Sequence, residues 1–273
     1  MAIAVKFGII HKESGMLAYQ SLCKMAVIDL QILLTVSYDG TAYAGWQRQN
    51  NAIAVQQRLE EALSSLLGEN ITTKAASRTD AGVHALGQRA VFFVAKINIP
   101  LEKLPQIING FLPKDIAVTA AEAVSDDFNP RFDAKFKTYT YKIHNTPNPL
   151  INRYSAFVSR HLDIDAMKTA ARDFIGFHDF AAFMATGSSA KTTTREIYDC
   201  TVSDDVTISV TGSGFLYNMV RIIAGTLMYV GLGKLPMDAV PGIILSHDRT
   251  RAGKTMPPEG LTLMEVGYTH IGS

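Results

Sequence analysis

The sequence predicts an α+β fold of two tandem ferredoxin-like (RRM-like) β-α-β-β-α-β units, with adjoining antiparallel sheets and a central cleft between them. Two observations lead there. Strand-like and helix-like runs follow one another in the order β-α-β-β-α-β, and that order occurs twice along the chain. The 273 residues are 47% hydrophobic and 19% charged, which suits two domains of ordinary size around a substantial core. The units are expected at residues 29–130 and 131–273, with residues 1–28 an N-terminal extension outside the fold. No close internal sequence identity accompanies the repeat.

In the first unit, Ile28 to Tyr38 reads as a buried strand ended by Asp39-Gly40. Ile53 to Leu67 is a helix, because Val55, Leu59, Ala62, Leu63, Leu66 and Leu67 recur at three- and four-residue spacing. Asn50 or Asn51 is suited to cap its start and Gly68 its end. Ile71 to Ala76 is a short strand, a polar loop follows at 77–88, and Gln88 to Ala95 is the next strand. Leu101 to Gly110 is a helix after Pro100, interrupted by Pro105, and Ile116 to Val124 closes the unit as a strand.

The second unit opens with a long strand from Phe132 to Asn145. Asp163 caps a helix running to Ile175 and ended by Gly176. Arg195 to Ser203 and Val206 to Thr211 form a hairpin about Asp204-Asp205. Phe215 to Val230 is a strongly apolar helix, Asp238 to His247 another with Pro241 near its start, and Leu261 to Tyr268 the closing strand. Such units cover one sheet face with helices and leave the other open, the face that RNA-binding modules use.

A net charge of +1 places any nucleic-acid surface in local patches rather than in a bulk field. Cys23 and Cys200 are far apart and the seven histidines share no ligand spacing, so no metal site is expected. No run approaches the length of a membrane span, and residues 1–28 make no convincing secretory signal. A reducing cytoplasm is the expected compartment. There is no GxxxxGK(S/T) phosphate loop, no GxGxxG fingerprint and no nucleophile elbow.

What remains is the loop Ser77-Arg-Thr-Asp-Ala-Gly-Val-His-Ala-Leu-Gly-Gln88. It presents one carboxylate, Asp80, flanked by Arg78 and His84, with Gly82 and Gly87 relaxing the backbone. Asp-Ala-Gly is also ordinary turn chemistry. On the strand from Ala134 to Ile143, Lys135, Lys137, Tyr139 and Tyr141 share one face. Two cations followed by two aromatics suit phosphate neutralisation and base stacking; a half-buried tyrosine pair with solvated lysines fits the same pattern. Arg221 lies in an otherwise apolar helix, so it is either buried on an anionic partner, for which Asp80 is suited, or placed on an exposed stripe with Asn218 and Gly225. The basic runs His247 to Lys254 and Lys191 to Arg195 read as solvated loops or as phosphate contacts.

Taken together these segments resemble the bacterial tRNA pseudouridine synthase A family. Arg78-Thr-Asp-Ala-Gly-Val-His84 is similar to its catalytic motif, Tyr38 to Gln49 to its N-terminal signature and Arg131 to Tyr141 to its central strand. Asn218-Met-Val-Arg221 and Gly260-Leu-Thr-Leu263 are similar to its later motifs, and all five occur in the family's order between about residues 29 and 268. Ser77 stands where many members have glycine, and residues 1–28 have no counterpart. The resemblance implies that a uridine of the tRNA anticodon stem-loop, at nucleotides 38 to 40, is isomerised to pseudouridine without a cofactor.

Asp80 is then the essential carboxylate, by covalent attack or by abstraction of a sugar proton to give a glycal. Arg221 pairs with it and keeps it ionised, Tyr139 stacks on the base or assists at C5, and Arg78 helps hold the flipped nucleotide. Leu261 or Leu263 walls the pocket, and Lys137 and Arg131 contact substrate. The family also implies a homodimer with tRNA touching both subunits. A non-catalytic tRNA-binding protein on the same fold, and an enzyme for a small acidic metabolite clamped by Arg221 and Arg78, are the alternative readings.

Overall fold

The computed structural model describes residues 30–269. The expected extension at 1–28, Cys23, and the first residues of the strand expected from Ile28 lie outside the described residues. Ten strands form a mixed sheet: β1 (Leu30–Tyr38), β2 (Thr73–Ala75), β3 (His84–Val94), β4 (Ile116–Val124), β5 (Phe136–His144), β6 (Ala156–Phe157), β7 (Gly176–Asp179), β8 (Thr194–Val202), β9 (Thr207–Gly212) and β10 (Leu261–Gly267). Among the described residues five α-helices accompany them: α1 (Val55–Leu67), α2 (Leu104–Asn109), α3 (Ile164–Arg172), α4 (Met219–Gly231) and α5 (Ala239–Ser246). The fold is α+β, as the element order predicts.

The sheet runs β4-β1-β3-β10-β5-β9-β8-β7, with β2 added to β3 and β6 to β5. Every strand pair is antiparallel except β3 with β10 and β5 with β6. The first half of the chain therefore fills one side of the sheet and the second half the other. They join where β10 meets β3 through only two paired positions, Thr262 with His84 and Leu263 with Ala85. Gly87 makes this approach possible, since a Cβ there would lie 2.3 Å from the Met264 carbonyl oxygen. Gly87 is thus a packing glycine inside β3, whereas Gly82, at φ +77°, does relax the loop.

Period-two burial sets the core face. Ile32, Leu34 and Val36 of β1 pair with Phe92, Ala90 and Gln88 of β3, and all six are fully buried. The register shifts between Val36 and Tyr38, at the end nearest the Asp80 loop. On the other side Tyr139 pairs with Leu263 of β10 and Val210 of β9. Helix α4 packs on β5 and on α3.

Several boundaries differ from expectation for identifiable reasons. Helix α1 starts at Val55 with Ala54 as an N-cap that offers no side-chain bond, so neither Asn50 nor Asn51 caps it. Its end is as expected, with Gly68 at φ +73° and its N–H on the Ser64 carbonyl. Pro105 sits in the first turn of α2, where its missing N–H is harmless, so it starts the helix rather than interrupting it. Asp163 caps α3 by accepting from the Ala166 N–H, but Gly176 opens the short strand β7, which the apolar pattern does not reveal. Helix α4 begins at Met219, not Phe215, behind Asn218 in the left-handed conformation. Strand β3 begins at His84, so the loop that carries Asp80 is shorter than the span 77–88. Among the described residues no helix is long and apolar enough to cross a membrane.

Candidate active site

Asp80 sits between β2 and β3, at the join of the two halves, in a loop tied down at several backbone groups. The Gln88 Nε2 donates to the Ser77 carbonyl at 2.8 Å, and Lys137 Nζ to the Ala76 carbonyl at 2.7 Å. The Trp46 N–H donates to the Thr79 carbonyl at 3.1 Å, and the Gly82 N–H to the Tyr43 carbonyl at 3.2 Å. The Tyr38 and Thr79 hydroxyls are 2.7 Å apart. These ties at Ser77, Thr79 and Gly82 restrain the backbone on both sides of Asp80.

The segment 38–47 is the backing of this loop. Gly45 has φ +87°, and a Cβ there would stand 2.4 Å from the Thr79 carbonyl oxygen and 3.0 Å from the Asp80 carbonyl carbon. Gly45→Ala is expected to lower stability by about 1–3 kcal/mol, since it combines left-handed strain with a backbone clash. Chemical denaturation of the variant against the unaltered protein measures this; an unchanged midpoint would show that the loop does not need the contact.

The second half supplies the partners of Asp80. Arg221, in the first turn of α4, places Nη1 3.3 Å from Asp80 Oδ2. The same guanidinium donates from Nη1 to Asn218 Oδ1 at 2.6 Å and from Nε to the Met256 carbonyl at 2.7 Å. Its side chain is 15% exposed and that of Asp80 29%, so Arg221 is the buried ion-pair partner and not part of an exposed stripe. Tyr139, 6% exposed, packs edge-on against Phe215 at 5.1 Å, and its hydroxyl lies 2.9 Å from Ser77 Oγ.

Electrostatically the pair does not balance as the sequence suggests. Burial pushes the Asp80 carboxyl above the ordinary aspartate range, and the Arg221 charge and hydrogen bond oppose that rise without cancelling it. One monodentate contact at 3.3 Å is too weak to offset the desolvation. Burial likewise raises the Tyr139 phenol to about 12, with the Ser77 hydrogen bond lowering it and the Asp80 charge adding to the rise. Lys137 is pushed down to about 8 by burial and by the Arg131 charge.

Arg78 is exposed and makes no hydrogen bond or ion pair among the described residues, so its guanidinium is available to a ligand. Arg131 is exposed, with its guanidinium 5.6 Å from the Phe132 ring. Leu261 is 6% exposed and Leu263 not at all; Leu263 is the cross-strand neighbour of Tyr139. Tyr141 is fully buried with its hydroxyl on the Pro257 carbonyl at 2.7 Å, so it belongs to the core and offers no stacking surface. The face shared by Lys137, Tyr139 and Tyr141 is thus the core face of β5, and of the two aromatics only Tyr139 reaches the Asp80 loop. In the basic loop, Arg249 is bound internally to the Gly253 carbonyl and Thr255 Oγ1.

A cavity of about 770 Å³ lies elsewhere, lined by Thr140, Lys142, Thr262 and Met264 among others. These positions alternate with Tyr139, Tyr141, Leu261 and Leu263 along β5 and β10, so the cavity is on the opposite sheet face. It contains none of Asp80, Arg221 and Tyr139, and the carboxylate–guanidinium pair is the better marker of chemistry. Sequence reasoning passed over Asn218 and Met256 as holders of Arg221, Phe215 as the ring against Tyr139, and Ser77 as the partner of the Tyr139 hydroxyl. The three-residue spacing of Asn218 and Arg221 was a readable signal; the Met256 and Ser77 contacts join distant segments and left none.

One half-buried carboxylate with an elevated pKa, held against a guanidinium and close to a buried phenol, is the apparatus of an enzyme that works by nucleophilic or acid–base chemistry. Comparison with known proteins gives the kind of enzyme. A family model described as tRNA pseudouridine synthase matches residues 34–133 and 170–269. The chain is 48% identical over 244 residues to tRNA pseudouridine synthase A of Ruminiclostridium cellulolyticum, covering 87% of this chain and 99% of that protein. It is 49% identical over 243 residues to tRNA pseudouridine synthase A of Geotalea uraniireducens, with the same two coverages. The chain belongs to the tRNA pseudouridine synthase family, a family of isomerases.

Proposed function

We propose that this protein isomerises uridine to pseudouridine at positions 38 to 40 of the tRNA anticodon stem-loop, with Asp80 as the essential carboxylate. The observation that carries the reading is the pairing of Asp80, from the first half, with Arg221, from the second, at 3.3 Å beside Tyr139. The working fold on this reading is two ferredoxin-like units, 29–130 and 131–273. The orders β4-β1-β3-β2 and β10-β5-β9-β8 favour it, since each places the two outer elements of its unit in the same relation.

In the reaction the glycosidic bond to N1 breaks, the base rotates, a bond forms from C5 to the ribose, and the C5 proton leaves. No electrons are exchanged with a partner, so no redox cofactor is required. Asp80 acts ionised, on the sugar or base directly or on a sugar proton. Arg221 holds that charge in place. Tyr139 underlies the flipped base and assists at C5, Leu261 and Leu263 back the pocket, and Arg78 holds the extruded nucleotide, whose unstacking costs a few kcal/mol. Lys137 and Arg131 contribute local positive charge on a chain whose net charge is only +1. The enzyme is cytoplasmic, and a homodimer presents surfaces of both subunits to one tRNA.

Purified protein incubated with tRNA tritiated at uridine C5 is expected to release tritium without added metal or cofactor. Binding of tRNA with no release would favour the non-catalytic reading, and absence of both would favour the small-metabolite reading.

A further inference from the structure

Ser77 is not among the residues that the proposed mechanism uses, yet its hydroxyl is 2.9 Å from that of Tyr139 across the join between the halves. Both sides of this contact are fixed in advance. The Ser77 carbonyl is held by Gln88, which has no exposed surface, and the preceding carbonyl by Lys137. The Tyr139 ring is fixed by Phe215 edge-on and by Leu263 and Val210 as its cross-strand neighbours. Either hydroxyl can donate to the other, and in both cases the bond occupies one side of the Tyr139 oxygen. Asp80 lies close enough for its charge to act on the same phenol.

We propose that Ser77 is a positioning residue for the reaction: its hydroxyl fixes the orientation of the Tyr139 hydroxyl beside Asp80. This rests on the proposed isomerisation. Without the serine hydroxyl the phenol loses its only hydrogen-bond partner among the described residues and turns toward whatever acceptor is nearest, Asp80 or substrate. A Tyr139 free to bond Asp80 would compete with the substrate for the carboxylate.

The test compares the unaltered protein with Ser77→Ala, Ser77→Thr, Tyr139→Phe and the double variant Ser77→Ala/Tyr139→Phe. Single-turnover tritium release, tRNA affinity and Tm are measured for each. Ser77→Ala is expected to slow turnover roughly fivefold, the rate equivalent of one hydrogen bond, with affinity unchanged. Ser77→Thr is expected to recover most of that rate, and Ser77→Ala to slow the Tyr139→Phe background no further, even where it lowers Tm in both. A normal rate in Ser77→Ala, or an equal slowing in both backgrounds, overturns the positioning role while the isomerisation stands. If Tyr139→Phe is too slow to measure, equal rates for Ser77→Ala and Ser77→Thr overturn it. Absence of turnover in the unaltered protein overturns the proposed function, and the positioning role with it.

Discussion

Asp80→Asn is expected to abolish pseudouridine formation, a loss of at least ~10³-fold in turnover, while tRNA binding survives. The substitution is nearly isosteric and leaves the loop's ties at Ser77, Thr79, Gly82 and Val83 in place, and the amide oxygen can still accept from Arg221 Nη1. It removes the negative charge, which both attack on the substrate and proton abstraction require. A second, independent outcome follows from burial. The folded protein holds the Asp80 proton more tightly than the unfolded chain, since the carboxyl lies above its ordinary range. Whatever stability the group contributes is therefore fully present below its unfolded pKa and is lost as pH rises through the folded pKa. At neutral pH the asparagine variant should have a Tm equal to or above that of the unaltered protein, and at low pH the difference should vanish. An active carboxylate that strains its own fold is a frequent trade-off of catalytic sites. Turnover in Asp80→Asn, or a marked drop in its Tm at neutral pH, would contradict this placement of the charge.

Arg221→Met carries the second large effect, a fall in kcat/KM of about 10²-fold at neutral pH. Arg221 is the group that pulls the Asp80 pKa down against burial, through its charge and its Nη1 hydrogen bond. Removing it lets desolvation act alone, so the folded pKa rises further. The ionised form is then lost at a higher pH as the solution is acidified, and the acid limb of the pH–rate profile moves upward. Part of the lost activity should return as pH is raised. Arg221→Lys keeps the charge but not the three-way anchorage to Asn218, Met256 and Asp80, so it should fall between the two. An acid limb that stays in place or moves to lower pH would show that Asp80 is not the titrating group.

Most of the fold was legible because its elements carry strong local signals. The apolar spacing of α1, the Asp163 cap of α3, the alternation of β5 and the strand Ile116–Val124 are all local patterns, and the structure has them. The misread boundaries lie where tertiary contacts override local preference. Helix α1 begins at Val55 because its first two residues are tied to 45–46 by the bonds from Val55 N to Gly45 O and Gln56 N to Trp46 O. Gly176 reads as a helix stop, yet at φ +119° it turns directly into β7.

The site was legible in part for the same reason. Asp80 stands out as a lone carboxylate in a polar turn and Arg221 as a charge in an apolar helix, whereas only the family resemblance separates Tyr139 from Tyr141; the structure brings the three together. The periodicity of β5 could not say that its tyrosine face is the core face, which removes Tyr141 as a stacking platform. Nor could the sequence weigh burial against one guanidinium at 3.3 Å, a balance set by geometry in which burial outweighs the guanidinium and raises the Asp80 pKa. Ser77 reads as loop composition until Tyr139 is found opposite it.

The most direct measurement is nucleoside mapping of the anticodon arm. One tRNA with uridines at positions 38 to 40 is incubated with the unaltered protein and with Asp80→Asn, and each position is read for pseudouridine. Pseudouridine is expected at one or more of these positions with the unaltered protein and at none with Asp80→Asn. Pseudouridine confined to another arm of the tRNA, or formed equally by Asp80→Asn, would contradict it.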